Sequence, residues 1–442
     1  MFRLHERTRL FFCRAGFFIL CLGPTLFLSA AAVHYRSPSY LEAQRDEWAA
    51  VLSDKLGADV QVARLSYPEW DTALLEEIQL LDPETGIEMV HARYVEVTRD
   101  NGQWRIEAGQ PEINAAALPE LTRLVNERLL RGHALQLAPL QFEAREATFH
   151  SAGDAQTFQF VAGQLKTVET GKQAEVTFQL AGSPDESPFR LAIRRLRNDS
   201  GATTTCQLDT AGCLLPCGAL APLAPWLTRL GNESHFQGSA SFELEGGKAH
   251  ITGSLSQVNL DALMSACFSQ HKLTGLADIQ VDQLQLTDGR IVEAVGTLQS
   301  RRGGVIDHRL LTAMQHQLDL EPPASPPLPR DALVRYSHLA FGFRLDHEGI
   351  SLSGDANPAN AGVIMSRSTA ILLVEPPRPV APVAYLVKVL SPESNVQIPA
   401  TPEAKSLLDW LPTPALTPLR DDTLPRAKNI RLTEKTRARS AN

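Results

Sequence analysis

Ser269-Gln-His-Lys272 has the Ser-x-x-Lys spacing with which a lysine activates a serine for acyl transfer. The Ser-Asp-Asn and Lys-Thr-Gly segments that complete such a site do not occur in the sequence. Gly171-Lys172 and Gly247-Lys248 resemble the ends of phosphate-binding loops. Neither has the preceding glycine and following Ser or Thr that build the phosphate cradle. Asp307-His308 and Asp346-His347 place an acid beside a base, but neighbouring strand residues point to opposite faces, so adjacency does not make a catalytic pair. Asp278 and Asp282 share a strand-like run and read as the wet side of a sheet. Four cysteines lie beyond residue 33, at 206, 213, 217 and 267, which allows three pairings. A turn through Gly212-Cys213-Leu-Leu-Pro-Cys217-Gly218 makes Cys213–Cys217 the candidate disulfide. A zinc site needs two close ligand pairs, and His235, the nearest histidine, falls outside the usual spacings. The expectation is no catalytic residue, no metal site and no cofactor.

The elements that would position these residues are mostly strands. Pro38–Leu56 has helical spacing of Leu41, Trp48, Val51, Leu52 and Leu56, with Gly57 as its stop. From Asp59 the pattern changes to alternating segments split by turn residues such as Asp82-Pro83-Glu84-Thr85-Gly86, which predicts an antiparallel meander. Short helices are expected at 118–130 and 223–230, with too few long ones to serve a doubly wound parallel sheet. Between 238 and 354 a unit of strand, glycine turn, strand and glycine recurs three times, around Gly246-Gly247, Asp288-Gly289 and Gly349. The first two units are followed by helical patterns at 260–268 and 306–318.

The chain has 442 residues and a net charge of −8. A net +3 over residues 1–14 and +4 over 413–442 leave −15 on the residues between them. Such a body repels phosphate backbones, so nucleic acid is not an expected partner. Residues 15–33 carry no charge and nearly match the ~20 residues that span a bilayer. The basic flank before them predicts a cytoplasmic N-terminus and an exported body, periplasmic if the source is bacterial. A cleaved signal peptide, with an apolar core at 17–28 and small residues at 29–32, is the competing reading.

The expected organisation is a basic segment (1–14), a transmembrane anchor or signal peptide (15–33), a helix plus β-meander (34–132) and a β-rich, repeat-like region (133–320). A Pro-rich linker (321–329), a C-terminal β/α region (330–411) and a disordered basic tail (412–442) complete it.

Three features together resemble the AsmA-like bacterial envelope proteins, which include AsmA and TamB relatives. They are the anchor, the following Leu56-Gly57-Ala58-Asp59-Val60-Gln61-Val62, and the phrase Gly253-Ser-Leu-Ser-Gln-Val-Asn-Leu260-Asp-Ala-Leu263. The resemblance covers about residues 10–110 and 230–320. It implies a mainly β fold with short helices: an elongated antiparallel sheet after one N-terminal transmembrane helix, bent into a U-shaped groove. It also implies lipid binding or transfer, or support of envelope assembly, with the inner membrane, lipids or other envelope proteins as partners. In such a groove period-two alternation would line the concave face. The candidate lining residues are Val60, Val62, Val95, Val97, Ile279, Val281, Leu284 and Leu286. Alternation serves equally a sandwich whose apolar face is buried by a second sheet, and a structural or adaptor module is the alternative function.

Overall fold

The computed structural model describes residues 14–100, 102–131, 139–151, 154–182, 187–198, 201–221, 224–268, 270–322, 333–356, 361–368, 370–390 and 410–412. The fold is mainly β, with one long apolar helix at its N-terminal end. That helix, α1 (Arg14–Tyr35), has a mean hydropathy of 2.0 over its most apolar window and none of that window buried against the rest of the protein. Pro24 lacks the N–H that would close a normal turn. The helix widens to a π-turn over Phe18–Leu22, and Thr25 Oγ1 takes the carbonyl of Cys21 at 2.6 Å. Next, α2 (Pro38–Leu56) starts at Ser37, whose hydroxyl accepts the N–H of Tyr40, with Pro38 in the first turn. It stops at Gly57, where φ is 70° and the N–H returns to Ser53.

The strands are β1 (Asp59–Glu69), β2 (Thr72–Leu81), β3 (Glu88–Asp100), β4 (Gln103–Gly109), β5 (Glu112–Asn114), β6 (Leu140–Ser151), β7 (Asp154–Val168), β8 (Gly171–Leu180), β9 (Phe189–Asn198) and β10 (Gly201–Asp209). They continue as β11 (Leu215–Pro216), β12 (His235–Glu243), β13 (Lys248–Asn259), β14 (Leu276–Thr287), β15 (Arg290–Ser300), β16 (Gly304–Asp307), β17 (Leu333–Tyr336), β18 (His338–Leu345), β19 (Ile350–Gly354), β20 (Val363–Arg367) and β21 (Ala370–Val374). Nineteen of them form one sheet, and β16–β17 pair separately. Strands close in sequence are neighbours in space, from β1 through β10, β12 and β15 to β18, β20 and β21. At about 4.8 Å between strands, the order spans roughly 70 Å.

The meander departs from pure antiparallel pairing once. β6 runs parallel to β4 and β5, so the chain must cross between them. It does so through α3 (Leu118–Leu124), which continues in wider turns to Leu130. The expected helix at 118–130 therefore serves as the crossover. The expected glycine units are the β12–β13, β14–β15 and β18–β19 hairpins. They are followed by α4 (Leu260–Cys267) and α5 (His308–Gln317) after the first two. The sheet runs on past the Pro-rich segment, since β18 pairs with β15, and α6 (Val383–Leu390) packs back onto the same core. Residues 1–13, 323–332 and 413–442, which hold most of the basic segment, linker and tail, lie outside the described residues.

One face of the sheet carries the apolar clusters, interrupted by a polar group of side chains at Thr204. Val95 and Val97 on β3 join the clusters under α2 and under β6–β10; Ile251 on β13 joins the latter to the cluster at β12–β13. Strict alternation would not keep this face. On β1 the inward residues are Val60 and Val62, then Leu65; on β2 they are Ala73 and Leu75, then Ile78. Each strand takes one extra residue in the same row, at Ala63 and Glu77, and Glu77 absorbs it with φ of 49°. The same correction recurs at Phe160 (φ 53°) and Gln257 (φ 57°). The opposite face is polar, with cross-strand pairs such as Arg105–Glu143 (2.8 Å) and Arg190–Glu175 (2.7 Å).

Candidate functional site

The apolar face and what lies on it define the site. Across β6 to β9 it carries four phenylalanines in a row. Phe149 meets Phe158 edge to face with centroids 5.0 Å apart, Phe158 meets Phe178 at 5.1 Å, and Phe178 stacks on Phe189 at 5.4 Å. Phe158 and Phe189 are buried, whereas Phe149, Phe178, Phe142, Val176 and Leu180 are half-buried. The helical turn Cys217–Leu220 follows β11, which is bonded to β12, yet it touches β6. Five strand positions separate β6 from β12 in the sheet, so the sheet must curl for this contact to form.

Two elements cross the curled stretch. The segment from Cys213 to Leu230 covers one side, with Cys213 and Leu215 on the phenylalanine cluster and Leu227 and Leu230 on Phe236 and Val258. The crossover helix covers the other. There Asn126 Oδ1 lies 3.0 Å from Thr204 Oγ1, Lys172 Nζ donates to the carbonyl of Leu129, and Arg131 reaches Glu245 at 3.1 Å. Glu245 also accepts Arg195 Nη1 (2.7 Å) and the N–H of Thr204 (2.6 Å). Burial disfavours its charge, but these donors outweigh it and hold the carboxyl down at about 2.

The expected lining residues do not share one environment. Val60 and Val62 are buried beneath Trp48, Ala49, Leu52 and Leu56 of α2, so they face a helix. Val97 joins that cluster and Val95 the phenylalanine cluster. Ile279 packs with Leu227, Phe236 and Val258, and Leu284 packs against the core under α4–α6; Val281 and Leu286 are half-buried. Although Val281 and Leu284 are an odd number apart, an extra residue at Asp282 keeps them on one face. The half-open phenylalanine row was missed by the sequence analysis. Its signal was present as Phe142, Phe149, Phe158, Phe178 and Phe189, but a bulge turns Phe160 outward (68 % exposed) and breaks the pattern.

Cys213 and Cys217 do not bridge, which corrects the expected disulfide. Pro216 and the following helical turn send the two thiols into different clusters. Cys213 Sγ donates to the carbonyl of Ser187 at 3.3 Å, and Cys217 is hydrogen-bonded to Ser234. Burial pushes the Cys206 thiol up to about 11.

The acid–base neighbours separate as well. Asp307 is the N-cap of α5, accepting the N–H groups of Leu310 (2.7 Å) and Lys272 (2.6 Å), while His308 contacts Thr312. Asp346 caps its own turn through Glu348 and Gly349. Asp278 accepts the N–H of Gln257 at its bulge, and Asp282 is exposed. Ser269 lies outside the described residues. Among the described residues no group of three His, Cys, Asp or Glu side chains gathers to hold a metal.

No family model, curated protein or solved structure matches the chain.

Proposed function

We propose that this chain is a membrane-tethered, exported, non-enzymatic β-sheet protein of AsmA-like character that binds lipid acyl chains on its apolar face. α1 is the tether, long and apolar enough to cross a bilayer, and the basic N-terminal residues keep that end cytoplasmic. The observation that carries the reading is the apolar face that continues from strand to strand and is left half-buried at Phe142, Phe149, Val176, Phe178 and Leu180. An acyl chain laid there gains about 0.8 kcal/mol per methylene removed from water, without help from any catalytic group. α2 and the α4–α6 core occupy the two ends of the face, so the proposed lipid stretch is the middle, β6 to β10.

The test is mass spectrometry of lipid co-purifying with the full chain in mild detergent, with Phe149→Ser/Phe178→Ser as the comparison. Stoichiometric phospholipid lost in the variant supports the reading. A lipid-free wild type that takes up no labelled phospholipid overturns it.

The covering of Val60, Val62 and the C-terminal core favours a second reading, an adaptor whose polar face and turns bind another envelope protein. That reading expects specific crosslinked protein partners and no bound lipid.

A further inference from the structure

The β1–β2 loop consists of Trp70 and Asp71. Two-residue hairpins favour Gly, Asn or Asp at positions with positive φ, and neither residue here has one. Trp70 has no turn role and is 94 % exposed, the most solvent-exposed of the large apolar side chains described. An isolated tryptophan held in water at a loop tip calls for a partner.

Its place in the fold identifies that partner. β1 runs antiparallel to α2 and back along it. Val60 N–H donates to Ser53 Oγ at 2.9 Å near the far end, and Trp48 Nε1 donates to Tyr67 Oη at 3.2 Å further back. From Ser53 to Pro38 is about 22 Å of helix, and from Val60 to Trp70 about 33 Å of extended chain. Even shortened by the bulge at Ala63 and by the crossing angle, β1 carries Trp70 back to the level of the first turn of α2. That turn is where α1 ends. His34, Tyr35 and Tyr40 cluster there, with Tyr35 and Tyr40 centroids 5.1 Å apart and His34 and Tyr40 centroids 5.4 Å apart. Tyrosines and tryptophans at the end of an apolar span form the aromatic belt of a membrane interface.

We propose that the β1–β2 tip is a second membrane contact, in which Trp70 seats at the headgroup–acyl boundary beside the exit of α1. This rests on α1 spanning the bilayer. A single helix joined through the short elbow at Arg36-Ser37 leaves the sheet able to swivel. A second contact one hairpin away fixes which sheet edge faces the lipid. Glu69 and Asp71 flank the tryptophan, so the contact is aromatic and needs no anionic lipid.

The experiment reconstitutes the full chain in phosphatidylcholine vesicles and measures tryptophan quenching by phosphatidylcholine brominated near the headgroup end of its acyl chains. The chain has five tryptophans, so wild type is compared with Trp70→Phe, an exposed position whose change leaves the fold intact. Stronger quenching of wild type than of Trp70→Phe, with a blue-shifted component lost in the variant, supports the contact. Equal quenching of the two, with both proteins floating with the vesicles, overturns the contact and leaves the anchor standing. Failure of wild type to float overturns the anchor and the contact with it.

Discussion

Thr204 on β10 gives its backbone N–H to the carboxylate of Glu245 at 2.6 Å, and its hydroxyl lies 2.8 Å from the same group. Thr204 is fully buried. Through Arg195, Arg131 and Asn126 this pair ties the β12–β13 turn, β9, β10 and the crossover helix into one polar knot on an otherwise apolar face. Thr204 and Asn126 are buried, whereas Glu245 and Arg131 reach solvent, so the cost of breaking the knot falls on the two buried groups left without partners.

Glu245→Gln is therefore expected to lower stability at neutral pH. Burial opposes the charge, but Thr204, Arg195 and Arg131 hold the folded carboxyl at about 2 against an ordinary 4.5. The contribution is full above 4.5 and disappears as the pH falls toward 2. Arg131 is half exposed, so solvent screening reduces the gain to about 1–2 kcal/mol. Urea titrations of the full chain in detergent should show the wild-type advantage at pH 7 shrinking below pH 4.5. An advantage independent of pH would refute the charge argument.

Gly238 and Gly253 sit directly opposite each other on β12 and β13, with φ of 153° and 143°. A Cβ on Gly253 would lie 2.2 Å from the carbonyl oxygen of Gln237. Gly253→Val should cost about 1–3 kcal/mol for the backbone conformation, with the overlap added to it. Gly289, at the β14–β15 turn, has open space around it, so Gly289→Ala meets only the φ penalty. Thermal unfolding should rank Gly253→Val well below Gly289→Ala. The reverse order would mean that the strands do not approach as closely as described.

Because Cys213 and Cys217 do not bridge, a chain with Cys13→Ser and Cys267→Ser should migrate identically on denaturing gels with and without reductant. Cys206, Cys213 and Cys217 should resist maleimide at pH 8 until denaturant is added, since Cys213 and Cys217 are buried and burial raises the thiols of Cys206 and Cys217. Rapid labelling of the native protein at these positions would contradict the placement.

Local signals made much of this fold legible. Ser37-Pro38 and Gly57 bound α2, because caps act over a few residues, and Asp288-Gly289 marks a hairpin for the same reason. What stayed hidden depends on distant partners. The parallel join at β6 cannot be read from β6, whose alternation fits either direction. Thr204 and Asn126 are 78 residues apart, and neither looks unusual alone. β20 and β21 escaped because Val363-Ile364-Met365 is buried on both faces and does not alternate. The bulge rows were invisible for another reason: any residue type can be the extra one, as Ala63, Glu77 and Phe160 illustrate. Those rows decide which side chains face inward: at Asp282 the extra residue keeps Val281 and Leu284 on one face although their spacing is odd.

His271 makes a last prediction. It is buried beside the end of α6, where the backbone of Val389 and Leu390 lies close, yet neither ring nitrogen has a partner at hydrogen-bond geometry among the described residues. Burial pushes its pKa down, Arg309 adds to this, and Asp307, with a carboxylate oxygen 3.8 Å from Nδ1, opposes it without winning. A depressed histidine stays neutral in the folded chain while the unfolded chain protonates near 6.5. Its linkage is therefore absent above 6.5 and becomes destabilising as the pH falls below that value, until the folded form also protonates. His271→Phe removes the titrating group and leaves a ring of similar shape beside the end of α6. It should flatten the loss of stability between pH 7 and pH 5 that wild type shows. If both proteins lose stability in parallel over that range, the acid sensitivity belongs to other groups, and His271 is only a space-filling ring.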